Sequence, residues 1–264
     1  MYCFDKGDYF IFDWKNKLDK FLNEFEHTKD IDGVLVCGSY ITGNPTNHSD
    51  LDVHIILESS VDYRQRGNKI VDGLLIEYFS NPPQQILKYF NEDLQEKDLM
   101  TQVQFATGQI IFDKSGKTSE LKNKAKEMID NFYKNEKIGM SDITKYGLWD
   151  RLDNLQDAFD NNKADFDFIY YIILNGIIEE YMKAIHRPYR SITIYGNITS
   201  DIVRQKYLLK ELPNPIISDL IFKCIIAVTR DDKVKSVEKL YGMIIDMFGG
   251  FEVDGFKMKS KLDT

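Results

Sequence analysis

The apolar positions along this chain change period once. Over the first 116 residues they fall mainly in short runs, at 34–37, 51–57, 74–79 and 110–112, most of them flanked by Gly, Asn, Asp or Pro. Runs of that length between turn residues read as buried strands. Ahead of them Leu18, Phe21, Leu22 and Phe25 stand at three- and four-residue spacing among lysines and acids, which predicts an amphipathic helix over 14–25. Residues 84–90 read as a second helix, and 103–112, with Gly108 inside it, leads into the last strand. The stretch between the second and third runs holds Tyr63, Arg64, Arg66 and Lys69 and reads as a charged connection. Beyond Gly116 the strand signals fade. Helices are expected at 119–133, 142–159, 166–185, 201–212 and 215–228. A last one runs through Val237, Leu240, Tyr241, Ile244, Ile245 and Phe248 and stops at Gly249-Gly250. The 166–185 helix is apolar nearly all round, as the central helix of a bundle is. The expected fold class is α+β: a mixed-sheet domain over 1–116 and an all-α helical bundle over 117–264.

Composition sets limits on this picture. The 264 residues leave room for about two domains, and 43% hydrophobic with 29% charged content fits an ordinary globular protein. A formal net charge of -8 argues against a broad basic face, so a nucleic-acid partner is not expected. Cys3, Cys37 and Cys224 have neither disulfide nor metal spacing, which fits a reducing, cytoplasmic setting. Residues 1–8 lack the basic and apolar regions of a secretory signal, and the most apolar window, 168–178, is short for a bilayer and contains Asn175. No membrane association is expected. The tail from Phe251 onward reads as loosely held, and the helical half has apolar surface enough to permit a homodimer.

The chemistry concentrates in one stretch. Val34-Leu35-Val36-Cys37 ends in Gly38-Ser39, a polar loop follows, and the next apolar run opens with Ser49-Asp50-Leu51-Asp52. Residues i and i+2 of a strand share a face, so Asp50 and Asp52 project side by side. Carboxylates held that close repel unless a cation lies between them. Magnesium suits the place, being a hard ion with oxygen ligands that keeps positions open for phosphates. A third acid, Glu77, is embedded in the apolar run Leu74-Leu75-Ile76-Glu77-Tyr78-Phe79. A Glu there is costly unless paired or metal-bound. An outward-facing Glu on an edge strand is the plainer alternative, and the two aspartates upstream tilt the balance toward metal.

The pattern G-S-x3-G followed by S-D-x-D, formed by Gly38, Ser39, Gly43, Ser49, Asp50 and Asp52, resembles the signature of the nucleotidyltransferase superfamily with the DNA polymerase β-like fold. The motif covers about a tenth of the chain. A small nucleotidyltransferase domain followed by a helical bundle is also the layout of the bacterial aminoglycoside and lincosamide nucleotidyltransferases. The resemblance implies transfer of a nucleoside monophosphate, AMP first among them, from ATP or another nucleoside triphosphate to an acceptor hydroxyl. Asp50, Asp52 and Glu77 would ligate two magnesium ions and form the catalytic set, with Gly38, Ser39 and Ser49 at the nucleotide. The acceptor would be a small molecule, an antibiotic of aminoglycoside or lincosamide type among the options. The alternatives are an RNA or protein acceptor, as in antitoxin-like AMP transfer, and a nucleotide-binding module with little catalysis.

Other residues have plainer accounts beside their functional ones. Ser49 is as well explained as a turn residue. His54 shares a strand face with Asp52 but reads as a hydrogen-bonded histidine one step deeper, and His48 as a solvated loop residue. Tyr40 would touch nucleotide or cover a helix start. Arg64, Arg66 and Lys69 read first as solvating their loop, Asp113 and Lys114 as a turn, and Asp150, Arg151 and Asp153 as a charged helix face. His186-Arg187-Pro188-Tyr189-Arg190 fits charge complementation at a helix C-terminus.

Overall fold

In the computed structural model residues 14–135 and 137–259 are described. The readings of 1–8, of Cys3 and of the tail beyond 259 lie outside them. The chain is α+β, and its two compact units divide between Lys134 and Asn135.

The first unit opens with α1 (Trp14–Asn23), whose Trp14, Leu18 and Phe21 are buried. Strand β1 (Ile31–Cys37) is buried along its length. A one-turn helix α2 (Ser39–Thr42) and a loop lead to β2 (Leu51–Leu57). Then come β3 (Gln65–Val71), β4 (Leu74–Asn81), α3 (Pro83–Gln95), α4 (Met100–Thr107), β5 (Gln109–Asp113) and α5 (Lys117–Lys134). The sheet order is β3-β4-β2-β1-β5. Only β2 and β4 run parallel; β1 is antiparallel to both β2 and β5, and β3 to β4. Alternation divides the side chains of the central strands between two faces. Leu51, Val53, Ile55 and Leu57 join Val34, Val36, Leu74 and Ile76 in a core with α1. Asp52, His54 and Ile56 point the other way.

Three expectations are corrected here. The charged connection is a strand: β3 pairs with β4 from Gln65↔Ser80 to Val71↔Leu74. It stands at the sheet edge with only Val71 buried, so its polar side chains meet no penalty. Residues 103–112 divide into α4 and β5, with Gly108 between them packed so tightly that a Cβ there would lie 2.4 Å from Leu35 Cδ2. The boundary placed at 116/117 falls at 134/135, because α5 sets Leu121, Ala125 and Ile129 into the first unit, against α3, α4, β1 and β5.

The second unit contains α6 (Asp142–Asp160), α7 (Phe166–Ala184), α8 (Ile194–Thr199), α9 (Asp201–Tyr207), α10 (Pro215–Ile226) and α11 (Arg230–Met247). The short α8 was not anticipated, and α9 ends at Tyr207 rather than reaching 212. Helix α7 buries Tyr170, Ile177 and Tyr181 among Leu148, Leu155, Ile221 and Leu240, but Phe168, Tyr171 and Ile172 face solvent, so the all-round burial expected of it is not met. Ser141, Asn214 and Thr229 cap α6, α10 and α11 through their side-chain oxygens. The tail is held at its start: Phe256 stacks on Tyr146 at 5.1 Å and meets Phe251 edge-on. No helix among the described residues is long and apolar enough to cross a membrane.

Candidate active site

Three neighbouring strands bring the acids together. Asp52 stands opposite Cys37 of β1 on one side and Glu77 of β4 on the other. Asp50 lies two residues before Asp52, at the mouth of β2. One carboxylate oxygen from each of Asp50, Asp52 and Glu77 lies within 4.8 Å of the others, and all three residues are partly buried. A donor set made only of carboxylate oxygens suits a hard divalent cation. The negative field reaches neighbouring groups. The Cys37 thiol is pushed well above its ordinary value, first by burial and then by Asp52, Asp50 and Glu77 in turn. The Tyr40 phenol is raised by burial and by Asp50.

Gly38 is a steric requirement of the cradle. Its φ of 75° and ψ of -157° belong to a region that side chains avoid, and a Cβ there would sit 2.0 Å from Asp52 Oδ2. Glycine thus lets β1 turn into α2 directly over the Asp52 carboxylate. Ser39 opens α2, and its carbonyl accepts from the amides of Gly43 and Asn44, closing the turn with Gly43 left-handed at φ 94°. Ser49 Oγ accepts from the Thr46 amide at 2.8 Å, so this side chain stitches its own loop.

His54 is the deeper, hydrogen-bonded histidine: its Nε2 donates to Gln104 Oε1 at 3.2 Å, between the rings of Phe79 and Phe105. Burial lowers its pKa to about 4, against a smaller upward pull from Gln104. His48 is exposed in the loop, its backbone amide donating to Thr46 Oγ1. Asp113 ends β5 and accepts from the Thr118 and Ser119 amides at the start of α5, while Lys114 pairs with Glu58 at 2.7 Å. Arg187 Nη1 donates to the carbonyls of Ile185 and His186, which is the helix-end role expected for that cluster. On α6, Arg151 lies against Gly176, where a Cβ would be 2.5 Å from its Nη1.

One residue goes beyond its sequence reading. Arg66 Nη2 donates to Glu77 Oε1 at 2.7 Å and its guanidinium covers the Phe79 ring at 4.8 Å. The missed signal is Asp72-Gly73, whose φ values of 45° and 79° make a two-residue hairpin turn. Such a turn requires a strand before Asp72 as well as after Gly73, and that strand puts Arg66 on the Glu77 face.

The family comparison agrees with this geometry. Residues 18–131 match the nucleotidyltransferase domain family, so the N-terminal unit is a nucleotidyltransferase domain. Domains of this kind transfer nucleotidyl groups and take a nucleoside triphosphate donor with a divalent metal. Among solved structures, a nucleotidyltransferase-like protein from Exiguobacterium sibiricum 255-15 aligns at a TM-score of 0.44 and 10% identity, over 89% of this chain and 77% of that one. A comparison with curated proteins finds no match.

Proposed function

We propose that this protein is a magnesium-dependent nucleotidyltransferase that moves a nucleoside monophosphate from a nucleoside triphosphate to a hydroxyl of a small molecule. The observation that carries this reading is the convergence of Asp50, Asp52 and Glu77 within 4.8 Å. These three would hold the metal, two ions by the pattern of the family. When bound, magnesium supplies neutralisation of phosphate charge and a lowered pKa at the acceptor hydroxyl. Gly38 leaves room for the backbone to approach the phosphates. Ser39 presents a hydroxyl and a helix-start amide to them, and Ser49 fixes the loop that delivers Asp50. Glu77, on the side of the aspartates away from Gly38, or a carboxylate of the helical unit would take the acceptor proton. Most of the acceleration in such a site comes from positioning and charge stabilisation.

An aminoglycoside- or lincosamide-like antibiotic is one acceptor to test, and ATP is the first donor to test. The direct experiment incubates the full chain with Mg²⁺ and each of ATP, GTP, CTP and UTP against acceptor panels, reading pyrophosphate. Release that needs one triphosphate, Mg²⁺ and a small hydroxyl compound supports the proposal. Release only with RNA or protein transfers it to a macromolecular acceptor. The absence of both thermal stabilisation and pyrophosphate release with every triphosphate contradicts it.

A further inference from the structure

Beside the three carboxylates lies a second feature that the nucleotidyltransferase motif does not include. A pocket of about 500 Å³ opens on the same sheet face, in the size range of small-molecule sites. Arg64, just before β3, and Arg66 of β3 line one side of it. Phe79, Ile86 and Phe105 supply apolar wall, and Gln104 is among its polar groups. Among the described residues lining it there is no carboxylate. Both guanidiniums are held by aromatic rings: Arg66 over Phe79 at 4.8 Å, and Arg64 over Tyr89 at 5.9 Å with a hydrogen bond to its hydroxyl. A guanidinium has five N–H donors, so the bond from Arg66 to Glu77 leaves others for a ligand.

The order of strands decides which ligand the pocket takes. Gly38 and Ser39 follow β1, Asp52 lies on β2, Glu77 on β4 and Arg66 on β3, and the sheet runs in that order. In phosphoryl-group displacement the attacking and leaving oxygens stand on opposite sides of phosphorus. With the departing phosphates at Gly38-Ser39, the acceptor comes from the β4-β3 side, where the pocket is. We infer that this pocket binds the acceptor, and that the acceptor is a small hydroxyl compound with an apolar body and an anionic group, phosphate or carboxylate, held by Arg64 and Arg66. This rests on the nucleotidyl-transfer reading above and narrows its substrate class. It also disfavours a polycationic acceptor, which two arginines without a lining acid repel. In the step itself, the acceptor oxygen forms a bond to the α-phosphorus and the bond from that phosphorus to the bridging oxygen breaks. Pyrophosphate leaves with the electron pair, and the hydroxyl proton goes to Glu77 and then to water.

The test is calorimetric titration of the full chain, with Mg²⁺ and α,β-methylene ATP present. The probes are phenyllactate, phenylpropanediol, the phosphate monoester of the primary hydroxyl of phenylpropanediol, and kanamycin. The first three share one body and one secondary hydroxyl and differ in carboxylate, neutral or phosphate end. Binding of the carboxylate, the phosphate or both, with Kd rising about tenfold in Arg64→Ala and little binding of the other two, supports the inference, and the two anionic arms tell which group is preferred. Preference for the diol or for kanamycin, no binding by any arm, or an anion Kd unchanged within about twofold in Arg64→Ala overturns it. Arg64 is exposed in the loop just before the edge strand, so its loss leaves the fold in place. Stabilisation by the nucleotide analogue and Mg²⁺, lost in Asp52→Asn, is measured alongside. Where that stabilisation is present and the anions fail, only the acceptor class is wrong. Where it is absent, nucleotidyl transfer fails as well.

Discussion

The two units treat charge in opposite ways. In the helical unit charged and polar side chains answer one another: Lys233 pairs with Asp167 at 2.8 Å over the rings of Tyr170 and Tyr171, Gln156 donates to Glu238, and Tyr170 donates to the Cys224 carbonyl. Its helices offer many positions around each turn, so acids and bases can meet. The sheet unit gathers three like charges at one end of neighbouring strands, because the two-residue period and the register Cys37↔Asp52↔Glu77 leave them nowhere else to point. Like charges within 4.8 Å oppose folding. Arg66 answers Glu77 on one side, and the clustered carboxylate oxygens suit a bound hard cation. The difference separates a unit whose buried polar groups pair with one another from one that gathers three carboxylates at a single place.

Substitutions can break or sharpen that contrast. The largest effect is expected from Asp52→Asn, which should lower turnover about a thousandfold or more, the several kcal/mol that a lost metal-holding charge represents. Its thermal midpoint without metal should stay level or rise, since a repulsive partner is gone. Activity assays and calorimetry on the same preparation check both halves. Leu240→Ala, at a fully buried position of the helical core, should do the reverse. It should cost ~2–5 kcal/mol of stability in denaturant titration while leaving metal binding at the acids intact. Gly38→Ala joins the two effects. The new Cβ would clash with Asp52, so we expect a loss of about 1–3 kcal/mol together with weakened metal binding, read by titration with Mn²⁺.

Asp113→Ala should have the smallest effect, ~1 kcal/mol, as a lost helix-start acceptor. Burial pushes the Asp113 carboxyl up, but hydrogen bonds from Ser119, Thr118 and Gly116 outweigh it and hold the pKa below the ordinary 3.8. A depressed carboxyl contributes stability above its unfolded pKa and loses it as pH falls through the folded one. The wild-type advantage over Asp113→Ala should therefore be full near neutrality and shrink below about pH 4, which acid titrations of the two proteins would show.

The same contrast explains what could be read from the sequence. Buried strands announce themselves: β1, β2 and β4 are apolar runs, and two aspartates one residue apart in such a run have one geometric meaning. Part of the helical core was legible for the same reason, since α11 carries its burial pattern in its spacing. Edges are harder. In β3 nearly every side chain meets solvent, so Gln-Arg-Gly-Asn-Lys has no apolar alternation to display, and only the Asp-Gly turn marks it. With β3 went the position of Arg66 and the wall of the pocket. Helix α4 was hidden differently: Gln102, Val103, Phe105 and Ala106 are all buried, so no polar stripe sets its period. Helix α5 looks from its own sequence like the helices after it. Only tertiary packing of Leu121, Ala125 and Ile129 assigns it to the sheet unit. Ser49 was an even choice by sequence, and the bond from the Thr46 amide gives its hydroxyl a place within the loop.

The central claim is that Asp50, Asp52 and Glu77 together hold a divalent cation for nucleotide chemistry. Its most direct test is anomalous diffraction from crystals grown with Mn²⁺ and a non-hydrolysable triphosphate. The account predicts manganese density bonded to oxygens of all three residues, with the triphosphate running toward Gly38 and Ser39. A map with no peak there, or with Glu77 turned away from the aspartates while the nucleotide is bound, would contradict it.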